Sequence, residues 1–128
     1  MICYESIFSG IGKRLVDNGA NVLAVITSDG WFGKSLGPVE HFYLGIPRAV
    51  ETGRYLIRSA KTGISAIIDP EGRVVESLEL YTRGSIVGSI KLYEHRTPFV
   101  SFGFLFPYLC PILSLLIWIL RKRFIGLS

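Results

Sequence analysis

Residues 21–28, NVLAVITS, closed by Asp29-Gly30, decide the fold class of this 128-residue chain. The run is apolar and β-branched and ends on a turn signal, so it reads as a buried strand. Ahead of it, Ile7, Ile11 and Leu15 give a weak helical pattern over residues 7–18 that stops at Asn18-Gly19. Residues 1–4 form a short apolar strand before that, so the order is strand, helix, strand. Behind the central run, Pro38 suits the first turn of a second helix over residues 38–52, Pro47 puts a break or kink inside it, and Gly53 suits its carboxyl cap. Strands alone follow, over residues 55–60, 64–69, 73–80 and 85–92, with Pro70-Glu71-Gly72 as the turn between the middle pair. A βαβ unit followed by a β-rich stretch predicts a layered α/β sandwich with right-handed crossovers.

The carboxyl end has a different composition. Residues 99–120, FVSFGFLFPYLCPILSLLIWIL, carry no charge and as one helix would measure roughly 33 Å, enough for a bilayer core. The preceding 98 residues are too few to enclose a helix that is apolar all round, so a transmembrane helix is expected. Pro107 and Pro111 inside it predict a kink and partner helices that satisfy the freed carbonyls. Arg121-Lys122-Arg123 then places the carboxyl end in the cytoplasm and the body on the opposite side.

Charge and cysteine usage narrow the function classes. Residues 1–98 hold eleven Lys/Arg against ten Asp/Glu, and the tail triplet supplies the other three of the +4 net charge. The basic pI is therefore a tail property, and no basic stripe with interleaved aromatics points to nucleic acid. Cys3 and Cys110 make neither a disulfide framework nor a metal-ligand spacing, and nothing at the amino end resembles a signal peptide. The strand at residues 1–4 starts too near residue 1 for ordinary length, which points to a truncated product or fragment.

Cys3 closes a short apolar strand just before a helix, where helix N–H groups stabilise a thiolate and bind an oxyanion. On that local pattern alone an inert buried cysteine is the plainer reading. Four strings taken together carry more: Ile2-Cys3-Tyr4-Glu5, residues 27–33 (TSDGWFG), Arg48-Ala49-Val50-Glu51 and Lys61-Thr62-Gly63. With the 28-residue spacing from Cys3 to Trp31 and the apolar tail, they resemble the carbon-nitrogen hydrolase (nitrilase) superfamily over nearly the whole chain. Within it the pattern is most similar to the apolipoprotein N-acyltransferase branch, since soluble nitrilases lack the closing membrane helix. Gly30 and Lys61 depart from the alanine and asparagine that the family most often has there.

The resemblance implies a nitrilase-like α-β-β-α sandwich, present here in part, on the periplasmic side of a bacterial inner membrane and followed by one carboxyl-terminal transmembrane helix. Residues 1–98 are then the end of the hydrolase domain, 99–120 the membrane helix and 121–128 a basic cytoplasmic tail. It also implies a cysteine that takes an acyl chain from a phospholipid donor and passes it, through a thioester, to the amine of a diacylglyceryl-cysteine opening a lipoprotein. No metal or organic cofactor is implied. Carried over by position, Cys3 is the nucleophile, the Tyr4 N–H a candidate oxyanion donor, and Glu5 the acid that supports the site. Trp31 lies on the loop lining the substrate entrance, with Phe32 beside it.

The glutamate base and lysine of the family triad lie upstream of the nucleophile and are not in this chain, while Glu5 and Lys13 stand in the wrong order to replace them. The upstream part of the same enzyme is thus an expected partner. The chain alone is expected to be inactive and, with half a sandwich core open, poorly stable. Arg48 and Glu51 read as a helix-face pair supporting the fold, Asp29-Gly30 as a turn, and His41 and His95 as surface residues. Two other functions stay open: a membrane-attached amidase using the same cysteine, and an inactive remnant or membrane-anchored partner.

Overall fold

The computed structural model of the chain describes residues 1–125; residues 126–128, the end of the expected basic tail, lie outside the described residues. A four-stranded mixed sheet runs in the order β1 (Leu23–Thr27), β2 (Leu56–Ala60), β3 (Ser65–Ile68), β4 (Val74–Leu78), with β1 and β2 parallel and the other pairs antiparallel. The helix α1 (Ser9–Asp17) leads into β1, and α2 (Gly37–Gly45) and α3 (Pro47–Thr52) connect β1 to β2, at the places the sequence pattern expects helices. The break between α2 and α3 falls at Pro47, whose ring removes a backbone donor, and Gly53 closes α3 in the left-handed conformation at φ 63°.

Alternation sorts the strands into two faces. Leu23, Val25, Leu56, Ala66 and Ile68 point into a core shared with Val16, Phe42, Ala49 and Val100. Each large apolar side chain buried there contributes about 1.5–3 kcal/mol. The opposite face leaves Ile26 and Ile57 exposed. This chain therefore forms one sheet with helices on one side of it.

Three expectations need correction. The strand expected at residues 1–4 is a single parallel bridge, Ile2 to Ile26, because the chain turns at Cys3 into a 3₁₀ turn, Cys3–Ile7. No strand forms at residues 85–92. Residues 85–95 cross the open face instead of lining β4: Gly88 lies against Ile67, Tyr93 stacks on Tyr55 at 6.4 Å, and the His95 carbonyl accepts from Arg54 Nη1 at 2.8 Å.

The single helix expected over residues 99–120 is broken. A short α4 (Pro98–Phe102), capped by the Thr97 hydroxyl accepting from the Val100 N–H at 3.1 Å, docks Val100 into the core. Gly103, at φ 58°, then breaks the helical path before α5 (Leu105–Ile125). The uncharged part of α5, residues 105–120, gives roughly 24 Å of helix against roughly 30 Å for a hydrocarbon core. No helix among the described residues is long and apolar enough to cross a membrane. Pro107 sits in the first turn of α5, where a missing N–H is tolerated, and Pro111 lies inside the helix.

Candidate active site

Cys3 is half-buried and adopts φ 49°, a left-handed conformation that a residue with a Cβ enters only at a cost of about 1–3 kcal/mol. The strain arises where the chain leaves the Ile2 bridge and winds into the 3₁₀ turn. An α-helix amino terminus directly behind the thiol was expected; α1 begins only at Ser9, so the turn itself presents the backbone N–H groups next to Cys3. Glu5 braces this turn from outside, its carboxylate accepting from the Ile2 N–H at 2.7 Å while its own N–H donates to the Ile2 carbonyl at 3.1 Å.

The residues expected at the substrate entrance come together beside the turn. Tyr4 meets the Trp31 ring edge-on at 6.1 Å and Phe32 at 6.1 Å, and Trp31 packs on Phe32 at 5.1 Å. Trp31 remains 73% exposed, so packing against the protein accounts for little of its surface. The result is an open aromatic platform adjoining the cysteine.

Beneath it lies a polar network that the sequence reading missed. Asp29, His41 and Arg58 are 0%, 1% and 2% exposed, so His41 is not the surface residue expected, and Asp29 does more than form a turn. One Asp29 oxygen accepts from the Thr27 hydroxyl at 3.0 Å and from His41 Nδ1 at 2.8 Å; the other accepts from Arg58 Nη2 at 2.9 Å. Arg58 Nη2 also lies 3.1 Å from His41 Nδ1, a contact between two donors that lean on one carboxylate. The Nε and Nη1 groups of Arg58 have no acceptor among the described residues. A signal was available, since positions 23, 25, 27 and 29 share the inward phase of one strand, and residues 38, 41, 42 and 45 share one buried face of α2.

Arg48 and Glu51 do support the fold, as expected. Arg48 grips the Glu51 carboxylate with Nε and Nη2, each at 2.8 Å, and its Nη1 donates to the Ile7 carbonyl of the turn. Ser9 Oγ donates to the same carboxylate at 3.0 Å, tying the start of α1 to α3. His41 directs its ring nitrogens at Asp29 and Ser6, and no described residue hydrogen-bonds the Cys3 sulfur, so no Cys-His dyad forms. His95 is exposed and packs edge-on against Tyr93. No group of three or more His, Cys, Asp or Glu among the described residues could hold a metal ion. The arrangement offers a thiol on strained backbone, a neighbouring peptide N–H, and adjoining aromatic surface.

Residues 1–97 match the carbon-nitrogen hydrolase family. The chain is 46% identical over 104 residues to the apolipoprotein N-acyltransferase of Rickettsia bellii, covering 80% of this chain and 21% of that protein. It is 39% identical over 123 residues to the apolipoprotein N-acyltransferase of Thermotoga maritima, covering 95% and 24%. The chain thus spans about a fifth to a quarter of the length of these curated relatives. Among solved structures, Saccharomyces cerevisiae Nit3, a member of branch 10 of the nitrilase superfamily, matches with a TM-score of 0.50 and 25% identity over 62% of this chain and 32% of that one.

Proposed function

The chain belongs to the carbon-nitrogen hydrolase family, and from that premise we propose that it is the nucleophile-bearing segment of an apolipoprotein N-acyltransferase. The Cys3 thiolate attacks the ester carbonyl of a phospholipid, the lysophospholipid oxygen leaves with a proton, and a thioester remains on the sulfur. The free amine of a diacylglyceryl-cysteine lipoprotein then attacks that thioester, forming the amide and returning the thiol. The Tyr4 N–H faces the oxyanion in both steps, and Tyr4, Trp31 and Phe32 receive the apolar chain. The proton-transferring glutamate and the lysine come from the upstream part of the same enzyme. No metal or organic cofactor enters the chemistry.

The observation that carries this reading is the strained Cys3 held beside the Tyr4-Trp31-Phe32 cluster, in which Tyr4 and Trp31 are exposed, because acyl transfer needs a thiol and apolar surface together. The exposed sheet face at Ile26 and Ile57 supports a second, facing sheet, which completes the α-β-β-α sandwich. The exposed apolar side chains of α5 support attachment to a bacterial inner membrane, with the catalytic body on its periplasmic side.

The test supplies phospholipid labelled in its acyl chain together with a lipopeptide bearing a free diacylglyceryl-cysteine amine. Label should appear in amide linkage on the peptide and vanish in Cys3→Ser. Hydrolysis of short amides with no label reaching the lipopeptide would instead establish a membrane-attached amidase.

A further inference from the structure

Ser6 is fully buried, and its hydroxyl donates to the Cys3 carbonyl at 3.0 Å. That carbonyl belongs to the same peptide plane as the Tyr4 N–H, and in a trans peptide the two groups point in opposite directions. Whatever fixes the carbonyl therefore also aims the N–H. The left-handed backbone of Cys3 is disfavoured on its own, so an external hold is needed to keep this plane in one orientation.

His41 supplies a second hold on the same dipeptide. Its ring lies flat against Tyr4, centroids 4.7 Å apart and planes 12° apart, while Nε2 stands 3.5 Å from Ser6 Oγ. The ring cannot drift, because Nδ1 donates to Asp29, and Asp29 is held in turn by Thr27 and Arg58. Every member of this chain is buried or nearly so, and the strand and helix that carry it form part of the core. It reaches the surface at the Cys3-Tyr4 peptide, beside the thiol.

We infer that Ser6 and His41 are positioning residues that set the Cys3-Tyr4 peptide plane and so point the Tyr4 N–H at the developing oxyanion, with Asp29 and Arg58 holding His41 in register. The inference rests on the reading of Cys3 as an acyl-accepting nucleophile. Neither residue touches the acyl group; both act through the backbone of the turn. Mis-aiming an oxyanion donor forfeits part of the roughly 10²–10³-fold that such a donor supplies, so acylation should slow by about tenfold or more when the hydroxyl of Ser6 is removed.

The experiment compares two rates at Cys3 in the full-length enzyme, upstream part included, wild type against Ser6→Ala, with His41→Gln as the second variant. Alkylation by iodoacetamide forms no oxyanion and reports an intact, reachable thiol. Thioester formation from phosphatidylethanolamine vesicles carrying an alkyne-tagged acyl chain does form one. The expected result is alkylation within about twofold of wild type and thioester formation reduced about tenfold or more in both variants. Thioester formation at the wild-type rate in Ser6→Ala would overturn the inference, as would a parallel fall in both rates, which would make Ser6 a packing residue only. A full-length wild-type enzyme that alkylates at Cys3 yet never forms the thioester would remove the acyltransferase reading, and the inference with it.

Discussion

Replacing Asp29 by asparagine keeps the shape of the side chain and removes the charge on which the buried network depends. The carboxylate accepts three hydrogen bonds, from Thr27 and His41 on one oxygen and from Arg58 on the other. Asparagine has one acceptor and an NH₂ group. With its oxygen toward Thr27 and His41, the NH₂ meets the Arg58 guanidinium donor against donor; turned over, it loses Thr27 and His41 instead. In either pose Arg58, 2% exposed, is left as a buried cation without a counter-charge, a loss of about 3–5 kcal/mol. Domains of this size are stable by only about 5–15 kcal/mol, so the melting temperature should fall by more than about 10 °C.

The assay is thermal unfolding followed by far-ultraviolet circular dichroism in detergent, with Asp17→Asn as the control at the surface pairs of Asp17 with Lys13 and Arg96, which should shift the melt far less than Asp29→Asn does. Adding Arg58→Met to Asp29→Asn removes the orphaned cation and should recover part of the loss. Asp29→Asn melting within about 3 °C of wild type, or the double variant melting below the single one, would refute the reasoning.

Other measurements probe separate parts of the structure. Burial alone would raise the Asp69 carboxyl, but the Arg73 N–H and guanidinium and the Glu71 N–H outweigh it and hold it below the usual carboxylate range. The stability it contributes is therefore present above about pH 3.9 and lost as pH falls through the lower folded value, so the melting gap between wild type and Asp69→Asn should close on acidification. A methyl group on Gly63 would overlap Asp29 Oδ2, so Gly63→Ala should destabilise by about 1–3 kcal/mol, whereas Gly10→Ala, open to space within α1, should stabilise by about 0.5–1 kcal/mol. Paired Leu113→Glu and Leu116→Glu changes on the exposed surface of α5 should reduce co-flotation of the chain with anionic lipid vesicles, and unchanged flotation would exclude α5 as the membrane contact.

The parts of the fold that were legible in the sequence are those fixed by local chemistry. The buried run of β1, the proline break between α2 and α3, the Gly53 cap and the Pro70-Gly72 turn each depend on a few adjacent residues. The segment at 85–92 depends on remote partners: it has strand-like composition, but Ile67 and Tyr55 offer it a path across the sheet face, away from the β4 edge. The 99–120 run likewise has the composition of one helix, yet Val100 anchors its first turn in a core built by other elements, and Gly103 absorbs the change of direction. Among the proposed site residues, Cys3, Tyr4, Glu5, Trp31 and Phe32 stand in two short strings, so the sequence alone brings them up as candidates. Asp29, just past β1, His41 on α2 and Arg58 on β2 become one network only when these elements pack, although their inward phase was already present in the pattern.

Mass spectrometry of the Cys3 peptide, after incubation of the full-length enzyme, upstream part included, with phospholipid vesicles and no amine acceptor, tests the central claim most directly. The expected result is a mass increase of one acyl chain on Cys3, removed by neutral hydroxylamine and discharged when a lipopeptide amine is added. An unmodified Cys3, with the acyl group on Cys110 or nowhere, would contradict it.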